Sequence, residues 1–256
     1  QLSPVVAFDE ERCGPKIFLL TSDELFYSDD EGMVWSSIPL PAAHRYHELY
    51  ADPTNQVWIL GTGSVLRTRG YVLEEVTDTI DNYHSPSFFY SSIFFTDSLN
   101  GWLTATSNFL NERDAIIFKT SDGGTHWQRD TIILEAFSVD KIFFIDSLNG
   151  WMILGGRLVQ TTDGGNTWLS SQPTNVTSYA VKDSLHLITV GDAGIIFQSN
   201  TGGNIWVQRN TGKSHSFGNV FFVNNRIGYF SDKENPEMLK TTDGGITFTE
   251  LPFPDT

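Results

Sequence analysis

The chain has 256 residues, of which 39% are hydrophobic and 13% aromatic, enough apolar material for one buried core. Its 31 acidic and 16 basic residues give a formal net charge of −15, which excludes a nucleic-acid backbone as the expected partner because no basic patch offsets the repulsion. No apolar run approaches the roughly 20 residues of a membrane-spanning helix, so we expect no membrane span. A uniform repeat predicts one domain over residues 1–256.

Cysteine and lysine usage bear on cofactors and location. Cys13 is the only cysteine, so no internal disulfide forms, and no group of cysteines and histidines has the spacing of zinc ligands. We therefore predict no metal and no cofactor. Few lysines together with many Thr, Ser, Asn, Asp and Gly residues are typical of exported bacterial proteins, so we predict a secreted, periplasmic or cell-surface monomer.

Units of roughly 40 residues follow one another along the chain, and each reads as four short strands separated by turn signals. The predicted strands of the first two units are 5–8, 16–20, 24–27 and 34–38, then 47–50, 57–60, 64–67 and 72–76. The four remaining units open on the apolar segments 92–95, 141–145, 178–181 and 219–223. We predict an all-β chain, a single six-bladed β-propeller with four antiparallel strands per blade, with seven blades as the alternative.

One turn motif recurs in five of the units. It reads apolar residue, Ser or Thr, any residue, Asp, any residue, Gly, and an aromatic residue three positions later, and it occupies 26–35, 118–127, 158–168, 197–206 and 239–248. The second unit has a degenerate version at 67–70. The pattern predicts a hairpin turn between the third and fourth strands of each unit.

Each position that recurs in this turn has a structural role. We expect the carboxylates to cap the turn through backbone hydrogen bonds, without a catalytic role, and the glycines to supply a positive φ. The aromatic residues offer apolar surface to bury between sheets. The residues concerned are Asp30, Asp122, Asp163 and Asp243, and Trp35, Trp127, Trp168, Trp206 and Phe248.

The repeated turn resembles the Asp-box, or bacterial neuraminidase repeat, of sialidase-like β-propellers. Residues 93–102 and 142–151, each a strand ending in Asp-Ser-Leu-Asn-Gly-Trp before the turn, are similar to a narrower group, the photosystem II stability/assembly factor-like propellers. The resemblance covers nearly the whole chain. It implies a propeller fold and a non-catalytic role in holding a partner, although one such fold hosts many activities.

Insertions into the repeat point to a binding surface. Residues 77–91, 104–115 and 231–236 all fall at second-to-third turns or at links between blades, which share one face of a propeller, and binding usually lies in such loops. Phe88, Phe89 and Tyr90 either line the first insertion or begin the next strand. The candidate binding residues are Tyr83, His84, Phe109, Asn111, Glu112, Arg113 and Arg157.

Two functions from different classes fit these observations. The first is a binding or assembly module for a protein or carbohydrate ligand. The alternative is a glycoside hydrolase of the Asp-box propeller type, which needs two carboxylates at a suitable separation. A sialidase is disfavoured because it needs three converging arginines, whereas Arg67, Arg69, Arg129 and Arg209 are predicted on third or fourth strands or in the degenerate turn.

Overall fold

Short antiparallel strands joined by tight turns make up the fold, a computed structural model that describes residues 9–13, 16–80, 88–107, 114–132, 138–235 and 237–251. The first twelve strands are β1 (Asp9–Cys13), β2 (Lys16–Leu20), β3 (Glu24–Ser28), β4 (Ser36–Pro39), β5 (Tyr46–Ala51), β6 (Val57–Gly61), β7 (Val65–Arg69), β8 (Val72–Glu75), β9 (Phe88–Phe95), β10 (Gly101–Ser107), β11 (Asp114–Thr120) and β12 (Gln128–Ile132).

The remaining strands continue the same order. They are β13 (Val139–Phe144), β14 (Gly150–Leu154), β15 (Arg157–Thr161), β16 (Leu169–Thr174), β17 (Val176–Val181), β18 (Leu187–Gly191), β19 (Ile196–Ser199), β20 (Val207–Arg209), β21 (Phe217–Phe222), β22 (Gly228–Asp232), β23 (Met238–Thr241) and β24 (Thr249–Leu251). A single helical turn, α1 (Thr77–Ile80), and a 3₁₀ turn at Asp192–Gly194 complete the described elements.

The chain divides into two compact units, residues 1–147 and 148–256. The first contains three antiparallel sheets whose strands lie in sequence order, β1–β4, β5–β8 and β9–β12. Strand β13 packs beside β9, where the Ile142 N–H donates to Ser92 Oγ (3.3 Å) and Trp102 stacks on Phe144 with ring centroids 3.7 Å apart. Trp58, Phe95 and Trp127 meet in the core between the second and third sheets.

The second unit repeats the arrangement. Strands β14, β15 and β16 pair antiparallel, and β17–β20 and β21–β24 form two four-stranded sheets. Ile188, Ile196, Phe217 and Phe230 pack in the core between these two sheets. The Tyr179 hydroxyl donates to the Trp151 carbonyl at 3.0 Å and ties β17 to β14.

Burial follows strand position within each group of four. The second strands β6, β10, β14 and β18 are buried at every residue, because both of their faces are covered. The fourth strands β4 and β8 are exposed or half-buried throughout. Near-continuous apolar runs such as 57–60 therefore mark second strands in this sequence.

Most predicted strands lie where the pattern places them, two segments differ, and one open alternative is resolved. The segment 5–8 lies outside the described residues. The strand that pairs with β2 is β1, four residues later, and the prediction missed it because the sequence of β1 lacks the apolar alternation that the prediction followed. Both ends of the predicted insertion 104–115 are strand, since β10 and β11 pair as far as Ser107 and Asp114, and residues 108–113 lie outside the described residues. Phe88, Phe89 and Tyr90 begin β9.

Within each unit the connections collect at two edges. At the first, which we call the repeated-turn edge, the third-to-fourth turns meet the first-to-second turns: Gly123 N–H donates to the Leu99 carbonyl and Gly202 N–H to the Leu185 carbonyl, both at 2.9 Å. At the second, which we call the variable edge, second-to-third turns meet the links between sheets, as in Lys233 N–H to the Ser216 carbonyl (2.8 Å). Among the described residues no helix is long and apolar enough to cross a membrane.

Candidate functional site

The repeated turns share one hydrogen-bond pattern. In the copy at 158–168, the Thr161 hydroxyl donates to Asp163 Oδ1 (2.8 Å) and accepts the Gly165 N–H (2.8 Å), while the Thr167 N–H donates to Asp163 Oδ1 (2.9 Å). The copies that begin at Ser28, Thr120 and Thr241 repeat these contacts. The side chains therefore supply acceptors for backbone groups that the tight turn leaves unpaired.

A hydroxyl replaces the carboxylate in one copy without changing the pattern. Thr201 stands where the other turns have Asp, and its Oγ1 accepts the Ile205 N–H at 2.8 Å. Ser199 Oγ still accepts the Gly203 N–H at 2.9 Å. An oxygen acceptor at this position is sufficient, so the negative charge is not required for the turn.

The turn carboxylates are held in their charged form. Hydrogen bonds from the His126 N–H and ring lower the pKa of Asp122 to about 2. The Thr167 hydroxyl and N–H lower the pKa of Asp163 to about 2, and the equivalent Thr247 groups also lower the pKa of Asp243. A general acid needs a pKa near the working pH, so these carboxylates are unsuited to proton donation at neutral pH.

Glycine is required at the end of the turn for two reasons. Gly124 has φ +76°, a conformation that costs energy for a residue with a Cβ, and a Cβ there would lie 2.4 Å from the Trp58 ring. The expected positive φ also holds for Gly165, Gly203 and Gly245.

The aromatic residues of the turns are less uniformly buried than predicted. Trp127 is 8% exposed, but Trp168, Trp206 and Phe248 are half-buried. The prediction is wrong for Trp35, which is 39% exposed. Trp127 packs edge-on against Trp58 of the neighbouring sheet, whereas the Trp35 ring lies against its own turn, where its indole N–H donates to the Gly32 carbonyl (3.0 Å).

A cleft of about 430 Å³ opens at the repeated-turn edge of the β9–β12 sheet. Lys119, Asp122 and His126 line it together with Trp102 and Trp127. Asp122 is the one carboxylate among the lining residues, and Lys119 Nζ pairs with Asp130 Oδ2 at 3.1 Å. A single carboxylate that already accepts backbone hydrogen bonds does not provide the pair that glycoside hydrolysis needs.

Most of the predicted binding residues lie outside the described part of the chain. Tyr83, His84, Phe109, Asn111, Glu112 and Arg113 are in this group. Arg157 is described: it begins β15 directly after a two-glycine turn and is exposed at the variable edge, where the Val176 N–H donates to the Gly156 carbonyl (2.8 Å).

The variable edge of the first unit presents an aromatic plate, formed by a ring stacking that the sequence did not predict. The His47 ring stacks on Phe89 with centroids 4.3 Å apart and an interplanar angle of 7°. His47 Nε2 lies 2.9 Å from the Tyr90 carbonyl oxygen, and Phe89 is 42% exposed. Phe88 and Tyr90 point the other way into the core, which is the alternation expected of a strand.

The variable edge of the second unit carries a charged cluster, which we call the His215 cluster. It comprises Lys213, His215, Asp232, Asn235, Glu237 and Glu250. Lys213 Nζ bridges Glu237 Oε2 (2.6 Å) and Glu250 Oε1 (2.8 Å), and hydrogen bonds to these two carboxylates raise the pKa of Lys213. The six residues come from the link before β21, from the turn between β22 and β23 with its flanking residues, and from β24. Because these segments are far apart in the sequence, no short spacing motif predicts the cluster.

Comparisons with known proteins concern the fold. No sequence profile of a protein family matches the chain, and no curated protein matches it. A structure of YCF48 bound to D1 peptide is similar over 93% of this chain and 78% of that chain, with a TM-score of 0.68 and 16% identity.

Two similar structures are enzymes. A catalytically inactive virginiamycin B lyase from Staphylococcus aureus with quinupristin matches over 95% of this chain and 83% of that chain (TM-score 0.71, 12% identity). An ancestral GH74 enzyme matches over 98% of this chain and 39% of that chain (TM-score 0.74, 12% identity). These likenesses support a β-propeller fold, and a fold shared by such different proteins does not assign a function.

Proposed function

We propose that the chain is a non-catalytic β-propeller that binds a segment of a partner protein through its variable edge. One observation carries this proposal: the two edges use their polar groups differently. At the repeated-turn edge, carboxylates such as Asp122 and Asp163 accept backbone N–H groups and serve the scaffold. At the variable edge, side chains such as Phe89 and Arg157 are exposed, and the exposed residues differ from one turn to the next. A recognition surface requires such variation.

A protein segment is the partner that this chemistry favours. The variable edge of the first unit offers apolar contact at Phe89. The variable edge of the second unit offers exposed charges of both signs, Arg157 and Glu250, which select for complementary charges. The likeness to YCF48, whose structure holds a D1 peptide, supports the same class of ligand. A glycan remains the second ligand class, because aromatic faces also stack on sugar rings.

The number of blades and the type of the repeated turn are also part of this proposal. We propose that the six successive groups of four strands are six blades and that the repeated turns are Asp-boxes. The support is the order β1 to β24 in the described residues and the shared pattern of hydrogen bonds in five turns. We further propose an exported monomer, which cell fractionation and size-exclusion chromatography with light scattering test directly.

Glycoside hydrolysis is the alternative function, favoured by the likeness to an ancestral GH74 enzyme. It requires a pair of carboxylates facing a sugar-sized cleft. The described cleft at the repeated-turn edge provides Asp122 alone. Release of reducing sugar or aryl aglycone from a panel of polysaccharides and aryl glycosides would establish this alternative in place of binding.

The test is a screen of a displayed peptide library and, in parallel, a glycan array against the immobilised chain. The selected ligand is then measured against variants by calorimetry. Phe109→Ala, Tyr83→Ala and Phe89→Ala are expected to weaken binding at least tenfold, which is about 1.4 kcal/mol, because aromatic anchors commonly carry interface energy. The control Asn149→Ala, beside the repeated-turn edge, is expected to leave the affinity unchanged.

A ligand that is lost with Asn149→Ala and kept with the three aromatic variants would reverse the assignment of the edges. Enrichment on the glycan array without any selected peptide would change the ligand class.

A further inference from the structure

The His215 cluster contains three potential metal ligands that come together from separate segments. His215 precedes β21, Asp232 ends β22 and Glu237 precedes β23. One ring nitrogen of His215 and one carboxylate oxygen each of Asp232 and Glu237 lie within 4.8 Å of one another. We propose that these three side chains bind a divalent transition-metal ion of the zinc class.

Asp232 supplies the first argument, because its side chain is only 4% exposed. Its Oδ1 accepts the N–H groups of Glu234 (2.7 Å) and Asn235 (2.8 Å). Its Oδ2 faces His215, whose Nδ1 lies 3.4 Å away. A carboxylate on a side chain this little exposed is costly unless it is paired, and a cation held between Oδ2 and His215 would supply that pairing.

His215 supplies the second argument. Asn235 Nδ2 lies 3.0 Å from His215 Nδ1, and an amide nitrogen only donates, so Nδ1 is the acceptor in this arrangement. In the tautomer that accepts from Asn235, Nδ1 and Asp232 Oδ2 present lone pairs 3.4 Å apart. Two ligands about 2.0–2.1 Å from one metal at a tetrahedral angle are about 3.4 Å apart.

The charge balance also favours a dication. Asp232, Glu237 and Glu250 contribute three negative charges, and Lys213 contributes one positive charge, which leaves an excess of two. Lys213 Nζ pairs with Glu237 Oε2 at 2.6 Å, and the second carboxylate oxygen of Glu237 is the one that would bind the metal. A metal at Nδ1 would replace the Asn235 contact there.

The chemical types of the three ligands indicate which class of metal would bind. Calcium and magnesium take oxygen ligands, whereas an imidazole nitrogen with carboxylates suits zinc, nickel, copper or iron. Three protein ligands leave one coordination position open for water or a donor from a bound molecule. The sequence predicted no metal because ligands from a link and the two ends of a turn form no short spacing motif.

The first test is zinc binding by equilibrium dialysis, with Zn²⁺ alone as the probe and the full chain as the protein. One Zn²⁺ per chain is expected, and His215→Gln and Asp232→Asn are expected to weaken binding at least tenfold. The matched control is Asp183→Asn, which breaks another His–Asp pair of the same unit, His186 Nδ1 to Asp183 Oδ1 at 2.7 Å, and is expected to bind as the wild type does.

Two further measurements distinguish loss of the metal site from misfolding of a variant and from adventitious zinc binding. Glu237→Gln changes a side chain that is 43% exposed, so the fold is expected to survive and the affinity for Zn²⁺ to fall at least tenfold. Co²⁺ is expected to give the intense visible absorption of a four-coordinate site in the wild type and not in Glu237→Gln. Absence of Zn²⁺ binding at micromolar concentration, or equal loss in Asp183→Asn, would overturn the site.

Discussion

Thr161→Val isolates the hydroxyl on which the repeated turn depends. Thr161 is 1% exposed, and its Oγ1 both donates to Asp163 Oδ1 and accepts the Gly165 N–H, each at 2.8 Å. Valine has nearly the same shape, so the change removes hydrogen bonds while leaving the packing in place. The buried Gly165 N–H loses its acceptor and gains no other.

The expected cost follows from these contacts. A net hydrogen bond contributes about 0.5–1.5 kcal/mol, and a buried donor left unpaired costs about 1–3 kcal/mol. We therefore expect Thr161→Val to lower the free energy of unfolding by about 2–3 kcal/mol. Urea denaturation followed by tryptophan fluorescence measures this difference from the transition midpoint and slope.

The adjacent residue provides a matched control. Thr162 is exposed, and Thr162→Val makes the same chemical change without a buried hydrogen bond, so we expect a difference within about 0.5 kcal/mol of the wild type. If Thr161→Val and Thr162→Val were equally stable, the turn hydroxyl would not support the fold as described.

Two further predictions concern the same turns. Trp127→Ala should lower the free energy of unfolding by about 3–5 kcal/mol, because the residue is 8% exposed in the core. Trp35→Ala, at a residue that is 39% exposed, should cost less than half as much. Equal losses of stability in thermal denaturation would contradict this difference in burial. Asp122 has a pKa of about 2 in the folded chain against 3.8 as the ordinary value, so its stabilising contribution is present above pH of about 4 and disappears as pH falls through about 2. The stability difference between the wild type and Asp122→Asn should therefore shrink between pH 5 and pH 2, and a constant difference would contradict the lowered pKa.

The strand pattern was predictable because it depends on local sequence. Runs such as 57–60 are apolar at every position, and the turn motif repeats the same polar atoms at fixed spacing. Strand β1 was misplaced because its residues Asp9 to Cys13 pair through the backbone with β2, which side-chain polarity does not report. The exposure of Trp35 also escaped prediction, since the motif is the same in buried and exposed copies.

The candidate site was less predictable because it depends on contacts between distant segments. The sequence left open whether Phe89 is a strand or a loop residue, and its stacking on His47, in another sheet, has no local signal. His215, Asp232 and Glu237 meet only after a link folds against a turn. The repeated turns also carry exposed apolar side chains, including Met33 and Ile205, at positions that the turn motif leaves open.

Hydrogen exchange with and without a selected peptide tests the central claim most directly, because it reports which edge the ligand covers. We expect slowed exchange at the variable edge of one or both units, at residues 62–64 in the first and 192–195, 213–216 and 233–235 in the second, with no change at the repeated turns 120–127 and 161–168. Protection confined to the repeated turns, with the variable edge unchanged, would contradict the proposal that the variable edge binds the partner.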